Sequence, residues 1–354
     1  MPLRPLIRPG FAEALRARYP FVQRRLASSQ RTVTRATTGW PATGPAHPAQ
    51  RTQRRHGPRP WDFDVASTIL YHDNGVVAVN KPAGIVTQAY TKMGETDKRK
   101  VKEDVFTQYT KRIARCLNHS GNVYPVHRLD TDTTGALLLG LTDARTRDLS
   151  AQFRNRTVKK TYLALVHGGV DAFPAISGEI RAPIYLRDNM PVHHDRANSK
   201  CEVKEAATDW ELLGSSPVAP LSLVRLGLLT GYKHQLRVHL AHRLNAPVLN
   251  DPIYELQSGS PEVARVVTHD MRRMFLHSAD IAIHRYRESG PTKGKRYELR
   301  VCAPVPSDLL QVCRQAQIEI PKRYVVGGTF ADGVDVQHEP SDLEASEQRP
   351  LHMA

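Results

Sequence analysis

The chain reads VHRLDTDTTG from Val126 to Gly135 and then enters the apolar segment Ala136–Leu141, which is short enough to form one buried strand. Polar groups beside a buried strand cost free energy unless they are paired, so this loop is expected to hold its side chains in defined positions. Asp130 and Asp132 could serve as a general acid and base, as Mg²⁺ ligands, or as a nucleophile with a neighbour. The alternative is an Asp- and Thr-rich turn that satisfies only its own backbone.

Short strand patterns on both sides of this loop predict a sheet. The segments Ile69–Tyr71 and Val76–Val79 flank the turn sequence DNG, which is typical of a β-hairpin because Asn and Gly tolerate positive φ. Further strands are expected at residues 161–166, 222–229, 275–283 and 296–302. Thr142 and Asp143 are suited to cap a helix that follows the apolar segment. Strands outnumber helices without a regular βαβ order, so the sequence predicts an α+β fold with a mixed, mainly antiparallel sheet and flanking helices.

A second polar segment, GYKHQLRVH, starts at Gly231 and predicts a junction between a strand and a helix. Leu236, Leu240 and Leu244 recur at helical spacing, so residues 233–244 are expected to form a helix with one apolar stripe. The N-terminus of such a helix presents unpaired N–H groups and the positive end of its dipole, and both favour phosphate.

Metal binding is the weaker interpretation of the histidines in this segment. His239 and His242 can share one helix face, but His234 is five residues from His239 and lies off that face. The four cysteines are far apart and form no CxxC pair, which argues against a zinc ribbon and against a disulfide scaffold. The sequence therefore predicts no metal site.

Charge is distributed unevenly along the 354 residues, whose formal net charge is +15. Residues 1–60 contain twelve Arg and one acid, Glu13, and carry +11, whereas residues 331–354 carry −5. This leaves +9 for residues 61–330, which suits a polyanionic partner such as nucleic acid. The longest apolar runs are far shorter than the roughly 20 residues that cross a bilayer, so no membrane association is expected.

The composition of the two ends predicts three regions. Residues 1–60 are rich in Arg, Ser, Thr, Ala and Pro, which is typical of a mitochondrial transit peptide; a disordered basic arm that binds RNA is the alternative. Residues 61–326 are expected to form the folded domain, and the acidic residues 327–354 a disordered, solvated tail. The expected location is the mitochondrion.

Several motifs occur in the order found in one enzyme family. Residues 127–135, HRLDTDTTG, resemble the HRLDxxTSG signature of the RluA family of pseudouridine synthases. Residues 79–84, VNKPAG, are similar to its NKPxG motif, residues 160–166, KTYLALV, to its KxYxALV strand, and residues 231–239 to its GRTHQIRVH helix. LHS at 276–278 and APVP at 303–306 resemble its closing stretches. The resemblance implies a pseudouridine synthase catalytic domain over residues 61–326.

Three positions depart from the family pattern. Thr87 and Gln88 occupy the region where the family has a histidine, the helix motif begins GYK in place of GRT, and the loop ends TTG in place of TSG. The implied catalytic residues are intact, whereas the residues around Tyr232 that would contact RNA differ.

The resemblance implies an RNA pseudouridine synthase, an isomerase that breaks the N1–C1′ bond of a uridine and rejoins the base through C5 without a cofactor or metal. It makes Asp130 the catalytic carboxylate and Arg237 its buried ion-pair partner. It also makes Tyr162 the residue that stacks on the uracil and a candidate to remove the C5 proton. Whether Asp130 attacks the sugar or the base, or assists glycal formation, stays open.

Four further residues are implied as RNA contacts. A uracil inside a helix cannot reach Asp130, so the target must be flipped out or already looped. The candidates are Arg128, which resembles the family residue that fills the space left by the flipped base, Lys81 and Lys233 at phosphates, and His127.

The expected substrate is structured RNA, first mitochondrial large-subunit rRNA and then mitochondrial tRNA. Mitochondrial ribosome assembly intermediates are candidate partners, and the protein is expected to act as a monomer. Two other functions stay open: a non-catalytic RNA-binding ribosome assembly factor on a synthase fold, and a glycosidase that uses Asp130 and Asp132. The presence of Asp130, Tyr162 and Arg237 together favours the isomerase, because a pure binder has no need of a buried Asp–Arg pair.

Overall fold

A computed structural model describes residues 63–87, 105–193, 197–255, 260–268, 273–287 and 293–336. The predictions for residues 1–60 lie outside these ranges, as does the acidic segment from residue 337 onward. Among the described residues, no helix combines the length and the apolar character needed to cross a membrane.

The described residues build one mixed sheet of twelve strands and a separate sheet of three. The strands are β1 Ile69–His72, β2 Val76–Lys81, β3 Tyr124–Pro125, β4 Thr134–Gly140, β5 Lys159–His167, β6 Ser177–Arg181, β7 Ile184–Arg187, β8 Met190–Val192, β9 Glu202–Lys204, β10 Ala207–Ser215, β11 Leu221–Leu228, β12 Leu276–Tyr286, β13 Arg296–Cys302, β14 Gly328–Ala331 and β15 Val334–Asp335. The large sheet runs β1-β2-β4-β12-β5-β11-β10-β6, with β3 beside β4 and β13-β14-β15 continuing from β12. Among these pairings only β4–β12 is parallel, which confirms the predicted mainly antiparallel α+β fold.

Six α-helices accompany the sheets in the described part of the chain. They are α1 Val105–Cys116, α2 Asp143–Arg154, α3 Gln235–Arg243, α4 Pro261–Val266, α5 Ser307–Gln315 and α6 Lys322–Val326. Helix α2 begins at the predicted cap, because the Thr142 hydroxyl accepts a hydrogen bond from the Arg145 N–H at 3.3 Å. The predicted stripe on α3 is also confirmed: Leu236, Leu240 and Leu244 are all buried.

Strand β4 is buried along its whole length and lies between two apolar layers. Successive side chains of a strand point to opposite faces, so Leu137 and Leu139 pack into one core while Ala136 and Leu138 pack into another. A strand covered on both faces requires an uninterrupted apolar run, and this is the sequence ALLL. The polar loop that precedes β4 is therefore anchored to the middle of the sheet.

Gly135 brings the start of β4 against β12. It pairs with Ser278 in the parallel register and has a φ of +109°, a region that favours glycine. A Cβ at this position would lie 2.2 Å from the Ser278 carbonyl oxygen, so no other residue fits without displacing the backbone. The contact places the LHS segment of β12 beside the loop that carries Asp130.

The predicted boundary of the acidic tail at residue 327 is wrong. Strand β14 pairs with β13 along Gly328–Ala331, and β15 then pairs back on β14. Thr329 is buried in this pairing, and the backbone groups of the segment are satisfied by the sheet. The acidic residues that follow dominate the composition of this segment. The composition therefore gave no sign of β14 and β15, which form only because β13 lies beside β14.

Candidate active site

The loop that carries Asp130 is held by the N-terminal NKPxG-like segment. The Thr87 hydroxyl donates to the Leu129 carbonyl at 2.8 Å and accepts from the Leu129 N–H at 3.1 Å. The Gly84 N–H donates to the Thr131 carbonyl at 2.9 Å. The backbone on both sides of Asp130 is therefore held by hydrogen bonds to residues 42 to 50 positions away, and Thr87 contributes to this where the family pattern has a histidine.

Lys81 does not lie where an RNA phosphate could reach it, so its prediction as a phosphate contact is wrong. The side chain is fully buried, and its ammonium donates to the carbonyls of Pro82, Ile85 and Thr131 at 2.9, 3.1 and 3.0 Å. Burial lowers the pKa of Lys81 to about 7, although the carboxylate of Asp132 opposes the shift. Lys81 is a structural support beneath the loop.

Arg237 extends from α3 to the Asp130 carboxylate. Its Nη1 donates to Asp130 Oδ2 at 2.9 Å, and the two residues are 107 positions apart in the chain. The Arg237 side chain is 5% exposed and the Asp130 side chain 24% exposed, so one end of the pair is enclosed and the other opens to solvent. The geometry therefore brings together the two residues that the motifs had paired.

Asp251 is the residue of this site that the sequence analysis missed. Its two oxygens accept from Arg237 Nε at 2.6 Å and from Arg237 Nη2 at 2.8 Å, and its side chain is fully enclosed. The same carboxylate accepts from the N–H groups of Ile253 and Tyr254, at 2.9 and 3.1 Å. The Asp251-Pro252 dipeptide could have signalled such a turn, but nothing local shows that the turn faces α3.

The pair Asp251–Arg237 keeps the guanidinium charged and correctly oriented. Burial alone would lower the pKa of Arg237, but the hydrogen bonds and charge of Asp251, together with the charge of Asp130, raise it above its ordinary value. A planar guanidinium can satisfy two oxygens of one carboxylate and still aim a third donor elsewhere. Here that third donor is aimed at Asp130.

His234 and Tyr254 close the site around this ion pair. His234 adopts a left-handed φ of 54° at the start of α3 and lies 3.1 Å from the Tyr254 hydroxyl through its Nδ1. Its Nε2 is 3.9 Å from Asp130 Oδ2, too long for a hydrogen bond. Burial and the nearby charge of Arg237 lower the pKa of His234 to about 4, so the ring is neutral near pH 7. Arg237 is therefore the cation that faces Asp130.

Tyr162 lies on β5, where its ring is buried and its backbone pairs across the sheet with Ser278 of β12. Burial raises the pKa of Tyr162 above its usual value, and the charge of Asp130 adds to the effect. The phenolate is scarce at neutral pH for this reason. The geometry supports ring stacking more directly than removal of a proton by this hydroxyl.

A cleft of about 350 Å³ opens above Asp130 and is also lined by Tyr162, His234 and Arg237. Apolar side chains of its wall lie beside Tyr162, among them Leu228 and Leu276. A second cavity of about 230 Å³ lies on the other side of Asp130 and shares Arg237 with the cleft. We call the set Asp130, Arg237 and Asp251 the floor of the cleft.

Cationic side chains surround the cleft above the floor, and we call them the rim. The rim consists of Arg128, Arg156, Lys160 and Lys233. Arg128 is exposed at the mouth of the cleft, where a base or a phosphate could meet it. Lys233 is half-buried, and burial together with the charge of Arg128 lowers its pKa.

His127 also borders the cleft, and one of its two ring nitrogens accepts a backbone hydrogen bond. Nε2 accepts the Leu138 N–H at 2.9 Å, and the ring stacks on Phe153 with centroids 4.5 Å apart. Burial, with the charge of Lys160, lowers the pKa of His127 to about 3. His127 therefore fastens the loop to β4, and its contact with RNA stays a prediction.

No group of three His, Cys, Asp or Glu side chains in the described part of the chain is arranged to hold a metal ion. His239, one of the histidines considered for metal binding, is buried, with Nδ1 2.9 Å from Thr208 Oγ1 and Nε2 3.2 Å from the Ala182 carbonyl. Both of its nitrogens are used to hold α3 against the sheet.

Comparison with known proteins identifies the family. A family model described as RNA pseudouridylate synthase matches residues 75–242, a range that contains the floor residues Asp130 and Arg237. The chain is 34% identical over 226 residues to tRNA pseudouridine synthase C of Pasteurella multocida, covering 59% of this chain and 85% of that protein. The chain belongs to the RNA pseudouridylate synthase family. The family resemblance inferred from the motifs is thereby confirmed.

Two further likenesses place this family member among its relatives. It is 33% identical over 217 residues to an uncharacterized RNA pseudouridine synthase of Mycoplasma genitalium, covering 61% of this chain and 64% of that protein. The chain thus spans about 64% of the length of the first curated relatives it matches. The solved structure of human RNA pseudouridylate synthase domain containing 4 agrees in fold, with a TM-score of 0.53, 24% identity, and coverage of 73% of this chain and 95% of that chain.

Proposed function

We propose that this protein isomerises a uridine to pseudouridine in RNA, with Asp130 as the catalytic carboxylate. The observation that carries the proposal is the contact of Asp130 with Arg237 at 2.9 Å, at the floor of a cleft that Tyr162 also lines. A carboxylate in a site shielded from water needs a fixed cation to stay ionised, and Arg237 is held in place for this purpose by Asp251.

The reaction requires that the N1–C1′ bond break, that the base rotate, that a C5–C1′ bond form, and that C5 lose a proton while N1 gains one. Asp130 supplies negative charge beside the sugar and base while Arg237 stabilises that charge. The ring of Tyr162 and the apolar wall at Leu228 and Leu276 accommodate the uracil after it leaves its stack. All of these bond changes take place within one nucleotide, which a cleft of about 350 Å³ can enclose.

The RNA substrate in this proposal is structured rRNA or tRNA. Relatives of the chain carry the names tRNA pseudouridine synthase C and ribosomal large subunit pseudouridine synthase D. The Arg-rich composition of residues 1–60 extends the proposal to mitochondria, where large-subunit rRNA is the first candidate and tRNA the second.

The test is detection of pseudouridine in large-subunit rRNA and tRNA transcripts incubated with the pure full-length protein. Asp130→Asn keeps the side-chain shape and removes the charge, so turnover should fall to background while RNA binding changes little. Asp132→Asn, two residues away in the same loop, is the matched control and should keep most of the turnover.

Three outcomes would change the proposal. RNA binding without any pseudouridine from the unaltered protein would favour the assembly-factor alternative. Appreciable turnover by Asp130→Asn would remove Asp130 from its role. Equal losses in both variants would favour an acid–base pair of Asp130 and Asp132.

A further inference from the structure

The four rim cations, of which Arg128 and Arg156 are exposed and Lys160 and Lys233 half-buried, differ from the paired Arg237 on the floor. Within the described residues, no ion pair joins Arg128, Arg156, Lys160 or Lys233 to a carboxylate. Among the described side chains that line the cleft, Asp130 is the one carboxylate, and Arg237 already contacts it. The rim therefore carries uncompensated positive charge toward the interior of the cleft.

Two rim residues and one tyrosine meet at the turn that precedes α3. Arg156 follows the end of α2 with a left-handed φ of 57°, and its Nη2 donates to the Tyr232 hydroxyl at 3.3 Å. Lys160, at the start of β5, reaches over the same turn: a Cβ at Gly231 would lie 3.6 Å from its Nζ. Three separate elements thus present polar groups to one small volume at the wall of the cleft.

This arrangement has an electrostatic cost that an anion would remove. Burial, with the charge of Arg156, lowers the pKa of Lys160, which means that the protonated amine is held at some expense. A guanidinium that gives one N–H to a phenol keeps other donors for a further acceptor, and phosphate oxygens match their geometry. Tyr232 stands where the RluA-family motif has arginine, so in this chain Arg156 brings a guanidinium to that turn from another element.

We propose that Arg156, Lys160 and Tyr232 form a subsite for one backbone phosphodiester of the RNA strand next to the target uridine. The inference rests on the proposed function, since it assumes that the floor of the cleft receives a uridine from RNA. Arg156 and Lys160 bind the phosphate, and the Tyr232 hydroxyl orients the guanidinium. The subsite fixes the strand beside the flipped nucleotide and thereby contributes to the choice of target.

The experiment measures binding of a fluorescein-labelled oligouridylate of about 12 nucleotides, a length within the range that single-strand binding domains cover. Anisotropy titrations with the full-length protein are run between about 50 and 200 mM KCl. Arg156→Gln and Lys160→Gln should each weaken binding about three- to tenfold at the low-salt end and reduce the log–log salt slope by about 0.7. Arg154→Gln makes the same charge change at an exposed position of α2 outside the cleft, and should match the unaltered protein.

Two further variants test whether the Tyr232 hydroxyl acts through Arg156. Tyr232→Phe keeps the ring but loses the hydroxyl, so it should weaken binding by a smaller factor and leave the salt slope unchanged. In the double variant Arg156→Gln/Tyr232→Phe, the tyrosine change should have no additional effect, because its hydroxyl acts through Arg156. Thermal unfolding of each variant verifies that the fold is retained.

The subsite is wrong if Arg156→Gln and Arg154→Gln give the same affinity and slope, or if the effects of Arg156 and Tyr232 simply add. Failure of the proposed function gives a different result: the unaltered protein would bind RNA with rim-dependent affinity and form no pseudouridine. If the unaltered protein forms pseudouridine and the Arg156→Gln variant still binds RNA normally, the subsite is wrong while the proposed function stands.

Discussion

The floor and the rim of the cleft lie within one small region, yet the cation of the floor is paired with carboxylates and the cations of the rim are not paired within the described residues. On the floor, Arg237 is enclosed between Asp251 and Asp130, and each of the three nitrogens of its guanidinium donates to a carboxylate oxygen. On the rim, Arg156 and Lys160 border the cleft, and neither has a carboxylate partner within the part of the chain that the structure describes. A buried charge is tolerated only when it is paired, whereas a charge that solvent reaches can stay unpaired and available to a ligand. The difference separates groups suited to chemistry from groups suited to binding.

The largest expected effect is that of Asp251→Ala. The variant leaves Arg237 buried beside one partly exposed carboxylate and removes the acceptor for the N–H groups of Ile253 and Tyr254. We expect the free energy of unfolding to fall by about 3–5 kcal/mol, measured by urea denaturation. Arg156→Gln on the rim should change it by no more than about 0.5 kcal/mol. Similar losses in the two variants would break the contrast between floor and rim.

A pH dependence of stability should come from the neutral histidines near the floor. His277 is fully buried, accepts from the Thr134 hydroxyl at Nδ1 and donates to the Ala303 carbonyl from Nε2, and burial lowers its pKa to about 4. The unfolded chain takes up a proton near pH 6.5 and the folded chain does not, so this stabilisation is complete above pH 6.5 and is lost as pH falls toward 4.

The expected change for His277 over this range is up to roughly 3 kcal/mol. Unfolding is followed at a series of pH values for the unaltered protein and for His277→Gln, and the difference between the two curves isolates this group. Parallel curves would show that His277 does not titrate differently in the folded state. Binding through the rim should instead depend on salt concentration, because ions screen charges that solvent reaches.

Arg237→Lys tests whether the site needs only a positive charge at this position or a charge with the orientation that the guanidinium provides. Lysine keeps the positive charge but cannot satisfy both oxygens of Asp251 and also reach Asp130 in the way the guanidinium does. We expect the single-turnover rate at saturating RNA to fall about tenfold or more, equivalent to about 1.4 kcal/mol, together with a lower melting temperature. A variant that loses only salt-sensitive affinity would show that Arg237 acts as a rim residue.

Lys233→Gln should give the smallest effect. Lys233 is half-buried at the mouth of the cleft, so its loss should weaken RNA binding modestly and reduce the log–log salt slope by about 0.7, with little change in the free energy of unfolding. Lys200→Gln, at an exposed position outside the cleft, is the control in the same titration. Equal salt slopes for the two variants would show that Lys233 does not contact an RNA phosphate.

Local patterns were sufficient for the elements whose stability depends on their own residues. The DNG turn of the β1–β2 hairpin, the apolar run of β4 and the Thr142 cap of α2 were all predicted, because turn geometry, strand alternation and capping act over a few residues. Helix α1 was not identified, although Phe106 and Tyr109 are buried at helical spacing and the sequence has Asp104, a residue type common at helix starts, directly before it.

The sequence by itself thus determined the class of the fold, the order of the motifs and, through the family resemblance, the association of Asp130 with Arg237. Tertiary structure alone decided that Asp251 holds Arg237, that Lys81 is a buried support and not an RNA contact, and that β14 belongs to the sheet. The reason is physical. Whether a charged side chain is paired, buried or free depends on which distant segment folds against it, and spacing along the chain does not contain that information.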